Sequence, residues 1–464
     1  VSILGISALH HDSAVCLINK EQIVFASGEE RFSRIKNDSK WPINSIKYIL
    51  NTYGQPSDIV FYDKLTFIKR REIKNLIKTS GLSTKNIWFI EHHNSHAYSA
   101  IYTAPWSHYE PCGVMVVDTI GGKKATSLGY WDGKTLYWIK TFLYPNSLGL
   151  FYSSITRLIG FNSNIDESKT MSAAAFGEPK WQEYMERYLI NIENNNYTCL
   201  EDFERGLGFG VLDFDIASSA QKVLEKILIN LATWLAKEIK LTKLVYSGGV
   251  ALNCVANTRI IEKTPFKQIW VPPAAGDAGG ALGGAIKFVH ADWKDAYLGY
   301  DAGNELDPNE VANKIIGGEI VPVIRGRAEW GPRALGNRSF LALPSKINSM
   351  RLHDIKGRTK DRWRPWAPIC LKSIANNYFN IIQPSYEMMF VAYSKSKKWY
   401  WYPDNTARLQ VVDNSNNKWL TQVLKRTTEN GHPVLINTSL NVKGKPIVNT
   451  YDNLKKEIMG ELQK

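Results

Sequence analysis

The sequence predicts an α/β protein in two parts. Three observations carry this. Short apolar stretches with alternating character sit between longer stretches whose apolar residues recur every three to four positions. Glycine-rich turns lead from strand-like runs into helix-like ones. Turn-forming residues accumulate between 295 and 310, in DAYLGYDAGNELDPNE, and set a boundary there. The expected domains are therefore 1–300 and 301–464.

In chain order, VSILGIS, SAVCLIN and QIVFASGEE read as strands separated by the turns LHHD and KE, with polar side chains in the first turn. GVMVVDTIGG and SLGYW are further strands, and TKLVYSGGV is a strand that runs into glycines. Residues 219–240, SAQKVLEKILINLATWLAKEIK, carry a helical period. GDAGGALGGAIKFVH is a glycine-rich turn opening another helix. Beyond the boundary, GGEIVPVIRG, FVAYS, RLQVV and HPVLINTS read as strands mixed with helices.

At 464 residues the chain exceeds one compact core. No apolar run reaches the length of a bilayer span, and the N-terminus lacks a basic leader with a small-residue cleavage site. The five cysteines (Cys16, Cys112, Cys199, Cys254, Cys370) are far apart and form no C-x-x-C, which points to a reducing compartment and small core residues. A cytoplasmic protein without membrane contact is expected. The net charge is +13, of which residues 301–464 carry +10. Such an excess suits phosphorylated small molecules, nucleic acid or an anionic surface, with plain solubility as the alternative.

Three of the nine histidines fall in EHHNSHA, 91–97. On a helix, His92 and His96 share one face at i, i+4, a spacing that suits two ligands of one metal ion. A metalloprotease would have glutamate directly after the first histidine, where this chain has His93. Asp118, at the end of VMVVD, and Asp277, in GDAGG, offer the missing oxygen ligands; turn-forming or helix-capping aspartates look the same. SGGVALN (247–253) and AAGDAGGALGG (274–284) can bring backbone N–H groups and a helix N-terminus to a phosphate, or allow tight helix packing. These two loops, the opening hairpin and its polar turn suggest the two-lobed actin-like ATPase architecture.

Five stretches in order, GISALHHDSA, EHHNSHA, ESKTMSAAAFG, SGGVALNCVAN with GDAGGALGGA, and EWGPRALGNRS, make the chain resemble the NodU/CmcH carbamoyltransferase family, which includes O-carbamoyltransferases of the TobZ type. The resemblance covers almost the whole chain. It implies an actin-like (ASKHA) domain at 1–300, related to tRNA threonylcarbamoyl transferases, and an α+β YrdC-like domain at 301–464. It implies iron or zinc held by His92, His96, Asp118 and Asp277, with His93 packing nearby, and ATP as cosubstrate, with magnesium accompanying it as an option. His11 matches the family's histidine near the transferring group, with His10 beside it, and is a candidate base. Glu167 and Lys169 fall on the family's E-x-K-x-M motif, Lys169 as a catalytic candidate. Glu167, Gly248, Gly249, Asn253, Gly276 and Gly279 are the implied nucleotide contacts.

The C-terminal part matches the YrdC-like K-x-R and S-x-N pattern at Lys356, Arg358, Ser439 and Asn441; with Arg333, Arg338 and Arg364 these would hold carbamoyl phosphate. The resemblance implies two steps, in which carbamoyl phosphate and ATP give carbamoyl adenylate and an acceptor hydroxyl then takes the carbamoyl group. One departure is Lys445, in GKPIV, where the family usually has glutamate.

From 346 to 426 there are 15 basic and 5 acidic residues. Inside that stretch SKSKKWYWYPD (394–404) interleaves cations with aromatics, a pattern that suits a nucleic-acid strand, and KRREIKNLIK (69–78) is a second basic surface. The favoured acceptor is accordingly a hydroxymethylated base in DNA. The alternatives are a small-molecule hydroxyl, tRNA threonylcarbamoylation, or a nucleic-acid-binding protein on a decayed enzyme scaffold; a homodimer stays open.

Overall fold

The computed structural model describes residues 2–63, 70–193, 195–203, 205–303, 306–396 and 402–459. It divides into two compact units. The first holds Val1–Ser7, Ile18–Gln22 and Gln55–Trp293; the second holds Ala8–Leu17, Ile23–Gly54 and Lys294–Lys464. Packing, unlike chain order, thus groups 8–17 and 23–54 with the C-terminal residues. The opening strands appear as expected, β1 (Ser2–Ser7), β2 (Ala14–Asn19) and β3 (Gln22–Gly28).

In the first unit, β1 pairs in parallel with β4 (Asp58–Asp63), and β4 with β5 (Asn86–Glu91). Both faces of such strands are covered, so DIVFYD carries a continuous run of buried residues rather than an alternating pattern. Helix α1 (His92–Ile101) follows β5 directly. A second sheet is built on β6 (Cys112–Gly121), with β7 (Lys124–Trp131) and β8 (Leu136–Leu143) added antiparallel and β9 (Lys243–Ser247) and β10 (Gln268–Trp270) parallel. The expected helix at 219–240 is α2 (Phe214–Ile239), capped by Asp213.

The glycine-rich helix α3 (Ala278–Phe288) packs on both α1 and the first sheet. A Cβ on Gly283 would stand 1.8 Å from the Ser95 carbonyl oxygen. These glycines serve close packing that no larger residue permits.

The second unit is organised around a mixed sheet of β11 (Val321–Ile324), β12 (Arg338–Ala342), β15 (Val434–Ser439), β13 (Ala367–Leu371) and β14 (Gln410–Val412), in that spatial order. Alternate residues serve opposite faces. Ile324, Phe340, Cys370 and Ile436 join one apolar cluster with Leu352 of helix α4 (Lys346–Ile355). Val323, Leu341, Ile369 and Leu435 join another with Leu420, Val423 and Leu424 of helix α5 (Lys418–Glu429). Residues from 23–54 are stitched into this unit: Arg34 makes a bidentate pair with Glu457 and donates to the Pro446 and Ile447 carbonyls. Arg327 donates to the Val24 carbonyl at 2.6 Å.

Four of the five cysteines are buried and all are free. Among the described residues no helix is long and apolar enough to cross a membrane. Of the two basic stretches, Lys397–Trp401 and Lys69 lie outside the described residues. Helix Arg70–Thr79 exposes Arg70, Arg71, Lys74 and Lys78.

Candidate functional site

In the first unit, helix α1 starts at His92 because the Glu91 side chain accepts from the Asn94 N–H at 3.0 Å, a helix cap. His92 and His96 then project one turn apart, both buried. Asp118 lies where the β6–β7 register shifts, between Val117 and Gly121, and Asp277 stands at the N-terminus of α3. Nε2 of His92 is 2.7 Å from Oδ2 of Asp118 and 3.9 Å from Oδ1 of Asp277; Nε2 of His96 is 3.7 and 3.5 Å from the same atoms. One donor atom from each of the four residues lies within 4.8 Å of the others.

An ion about 2.1 Å from each donor needs donors no more than about 4.2 Å apart, and these four separations comply. Two imidazoles and two carboxylates, all buried, form a donor set that could hold a transition-metal ion. Burial alone would lower the His96 pKa, but hydrogen bonds to Asp118 and Asp277 and their charges lift it to about 9. His93 bonds Ser127 Oγ at 2.8 Å through Nδ1, and burial with the neighbouring His92 holds it well below the usual histidine range. Its ring lies 5.4 Å from that of His92, and it is not one of the four clustered donors. Gly121 makes room for the His92 ring, since a Cβ there would stand 2.1 Å from its Cδ2.

Tyr62, at the end of β4, was not legible as a site residue. Its hydroxyl donates to Oδ1 of Asp277 at 2.9 Å and lies 3.1 Å from Nε2 of both His92 and His96. Burial, then the charges of Asp277 and Asp118, keep it well above the usual phenol range, so it is a neutral hydroxyl here. A polar tip on an otherwise apolar buried strand was the available signal.

The glycine loop at 247–253 serves this cluster. Gly248 has φ +94°, and a Cβ there would stand 2.2 Å from the Val117 carbonyl oxygen; the Gly249 N–H donates to Oδ1 of Asp118 at 3.2 Å. Asn253 caps the following helix by accepting from Ala256 N–H and donates to Gln221 at 2.8 Å. Gly279 packs against the Ala274 carbonyl, whereas Gly276 has only a leucine methyl at 3.7 Å. Glu167 accepts from Ser153 at 2.8 Å and from the Asn164 N–H; Lys169 pairs with Asp166 at 3.0 Å and lies over the Phe161 ring.

In the second unit, His11 bonds Asp12 Oδ2 at 2.8 Å through Nδ1, and Asn37 donates to the other oxygen of Asp12 at 2.8 Å. An orienting carboxylate thus stands behind the histidine. The K-x-R and S-x-N motifs converge. The buried Lys356 ammonium donates to the carbonyl of Ser439 and, at 2.8 Å, to Oδ1 of Asn441. Burial, followed by the charges of Arg358 and Arg364, holds the Lys356 pKa well below the usual lysine range. Arg358 is lowered to about 9 by burial, then by Arg364, with Asp361 opposing and Arg408 adding. His353, nearly fully buried, is lowered to about 4 by burial and then by Arg358, Arg362 and Arg364. Arg408 and His353 were not anticipated; neither belongs to a motif, and only the fold brings them here. Arg333 is half-buried in the loop before β12.

Arg338, expected to bind the anion, does something else. Its Nε donates to Asn449, Nη1 to Arg325 and Asn337, and Nη2 to Tyr300 and Gly326, all backbone carbonyls at 2.7 to 3.2 Å. It is 0% exposed and its five N–H donors are committed, so none is left for substrate. Glu329 completes this frame, accepting from the backbone N–H groups of Leu335, Asn337 and Arg338.

Residues 2–74 and 62–286 match the Carbamoyltransferase N-terminus family, and residues 312–461 match the Carbamoyltransferase C-terminus family. An uncharacterized Synechocystis protein, sll1178, is 32% identical, covering 97% of this chain and 93% of its own. The nodulation protein NolNO of Sinorhizobium fredii is 30% identical over 95% of this chain and 75% of its own. A 3'-hydroxymethylcephem-O-carbamoyltransferase of Streptomyces clavuligerus is 26% identical over 96% and 94%. Among solved structures, component A of the Acidaminococcus fermentans (R)-2-hydroxyglutaryl-CoA dehydratase superposes with a TM-score of 0.39 at 15% identity, covering 62% of this chain and 97% of that one, too loosely to argue from. With both family matches together spanning most of its length, the chain belongs to the NodU/CmcH carbamoyltransferase family.

Proposed function

We propose that this chain is an ATP-dependent O-carbamoyltransferase that draws on carbamoyl phosphate and delivers the carbamoyl group to a hydroxyl of a small molecule. The observation that carries this reading is Lys356. Its ammonium is buried, held by Ser439 and Asn441, surrounded by Arg358 and Arg364, and among the described residues it has no carboxylate partner. A buried lysine beside two half-buried arginines concentrates positive potential at one place, and a bound anion would be stabilised there.

In this reading residues 301–464 form a YrdC-like activating domain. Lys356, Arg358, Arg364 and Arg333 bind carbamoyl phosphate, and Ser439 and Asn441 align the lysine. Water cleaves carbamoyl phosphate to carbamate and phosphate, the carbamate oxygen attacks the α-phosphorus of ATP, and pyrophosphate leaves. The acceptor oxygen then attacks the carbamoyl carbon of the adenylate, and AMP leaves. Asp12 engages Nδ1 of His11, which leaves Nε2 as the other ring atom at which a proton can be taken up. Residues 1–300 are actin-like in this reading, with Gly276, Glu167 and Lys169 serving the nucleotide phosphates. Iron or zinc held by His92, His96, Asp118 and Asp277 would supply Lewis-acid polarisation. Magnesium would accompany ATP.

The acceptor class follows from where the charge lies. Four of the basic residues between 346 and 426, Lys356, Arg358, Arg364 and Arg408, are buried or half-buried. That part of the excess is accounted for without a nucleic acid. The relatives named for a hydroxymethylcephem acceptor favour a small-molecule hydroxyl over hydroxymethylated DNA.

The test supplies ATP, carbamoyl phosphate and a divalent metal with a hydroxymethylcephem, an oligosaccharide and hydroxymethylcytosine DNA. AMP and pyrophosphate release with one carbamoyl mass gained by a small molecule is expected. A gain on the DNA nucleoside alone would reverse the acceptor, and no AMP release would sink the adenylate route.

A further inference from the structure

We infer that the Tyr62 hydroxyl is a fifth donor of the metal site, joining His92, His96, Asp118 and Asp277. This rests on the reading of those four residues as metal ligands. The inference comes from spacing. Around an ion with bonds of about 2.1 Å, two donors at right angles stand about 3.0 Å apart, and a tetrahedral pair about 3.4 Å apart. The Tyr62 oxygen stands 2.9, 3.1 and 3.1 Å from Asp277 Oδ1, His92 Nε2 and His96 Nε2. It is equally close to three of the four ligating atoms. An oxygen at that spacing from three such atoms is placed as a further corner of the polyhedron would be.

The surroundings fix the hydroxyl there. Tyr62 is 1% exposed, and its ring lies against His92 with centroids 4.7 Å apart. On the other side, Gly280 of α3 lets the backbone approach, since a Cβ there would stand 2.5 Å from the tyrosine ring. The ring therefore cannot swing away without disturbing α3. A five-donor site also accounts for the wider pairs, 3.9 Å for His92 with Asp277 and 3.7 Å for His96 with Asp118, which lie beyond tetrahedral spacing.

The metal-free full chain is loaded with cobalt(II), alone and as Tyr62→Phe. The d–d absorption of cobalt is weaker with five donors than with four. Wild type should bind one cobalt per chain with a weak band. Tyr62→Phe, with unchanged circular dichroism, should show a clearly stronger band and weaker cobalt binding against a competing chelator. Identical spectrum and affinity in the two proteins would overturn the assignment while leaving the four-residue site intact. No cobalt uptake by the wild type would overturn the metal reading itself. If Tyr62→Phe does not fold, a crystal structure of the cobalt-loaded wild type decides: a hydroxyl oxygen within about 2.3 Å of cobalt supports the fifth donor, and one beyond about 3 Å overturns it.

Discussion

The ammonium of Lys356 lies 2.8 Å from Oδ1 of Asn441, across 85 residues of sequence. This contact joins two motifs that are far apart in the chain, and it has a consequence for chemistry. Lys356→Met keeps the length of the side chain and removes the charge. Pyrophosphate release with carbamoyl phosphate and ATP should fall at least 100-fold, while the fold persists. Steady-state release assays beside circular dichroism check this. Activity within threefold of wild type would exclude Lys356 from anion binding.

Arg338→Lys removes a guanidinium whose donors meet backbone carbonyls from four segments. Lysine has three donors and no fork, so carbonyls of a buried frame lose their partners. A loss of about 3 kcal/mol or more in unfolding free energy is expected from chemical denaturation. The KM for carbamoyl phosphate in the folded fraction should stay near wild type, which separates a structural arginine from a substrate-binding one.

Gly121→Ala places a methyl where Cδ2 of His92 stands, at 2.1 Å. The ring must move, and the donor spacing is lost. Metal content measured by plasma mass spectrometry should drop at least tenfold with little change in secondary structure. Full metal content would show that His92 is not a ligand.

Asp118→Asn keeps the shape and loses one negative charge next to two imidazoles. Metal affinity should weaken by two orders of magnitude or more in chelator competition. The Gly249 N–H should retain its acceptor oxygen, so the loop should keep its protection in hydrogen exchange.

Glu387 gives a pH prediction. Burial, reinforced by the charge of Asp295, raises its pKa from the ordinary 4.5 to about 7. Between those values the folded protein holds a proton that the unfolded chain has lost, so stability falls as pH rises through this window and levels off above it. The full effect is about 3 kcal/mol as an upper figure. Glu387→Gln should abolish that slope, and its melting temperature should exceed wild type at pH 8 more than at pH 5. Parallel melting curves across pH would refute it.

Local pattern carried much of this. The i, i+4 spacing of His92 and His96 already put two nitrogens on one face, because helical geometry is set by neighbours three and four residues apart. Helix Phe214–Ile239 was legible for the same reason, and strands Ser2–Ser7, Ala14–Asn19, Gln22–Gly28, Cys112–Gly121 and Lys243–Ser247 from their apolar runs, whereas Asp58–Asp63, Asn86–Glu91, Arg338–Ala342 and Ala367–Leu371 carried no such expectation. The glycines of 276–284 read equally as a phosphate loop or a packing face, and most of them pack: Gly280 faces Tyr62 and Gly283 faces Ser95. A glycine pattern reports only that a backbone approaches something, not what approaches it.

What the sequence determined by itself is the family, the strand and helix periods, the histidine pair and the two motifs around Lys356 and Ser439. These are short-range patterns of residue type and spacing. Only the tertiary structure decided that Arg338 is spent on carbonyls, that residues 23–54 are stitched to the C-terminal unit by Arg34, and that the Tyr62 hydroxyl reaches His92, His96 and Asp277. Each of these depends on contacts between segments tens to hundreds of residues apart. Whether an arginine meets substrate or backbone is settled by which groups surround it once the chain is packed, and residue type alone does not encode that.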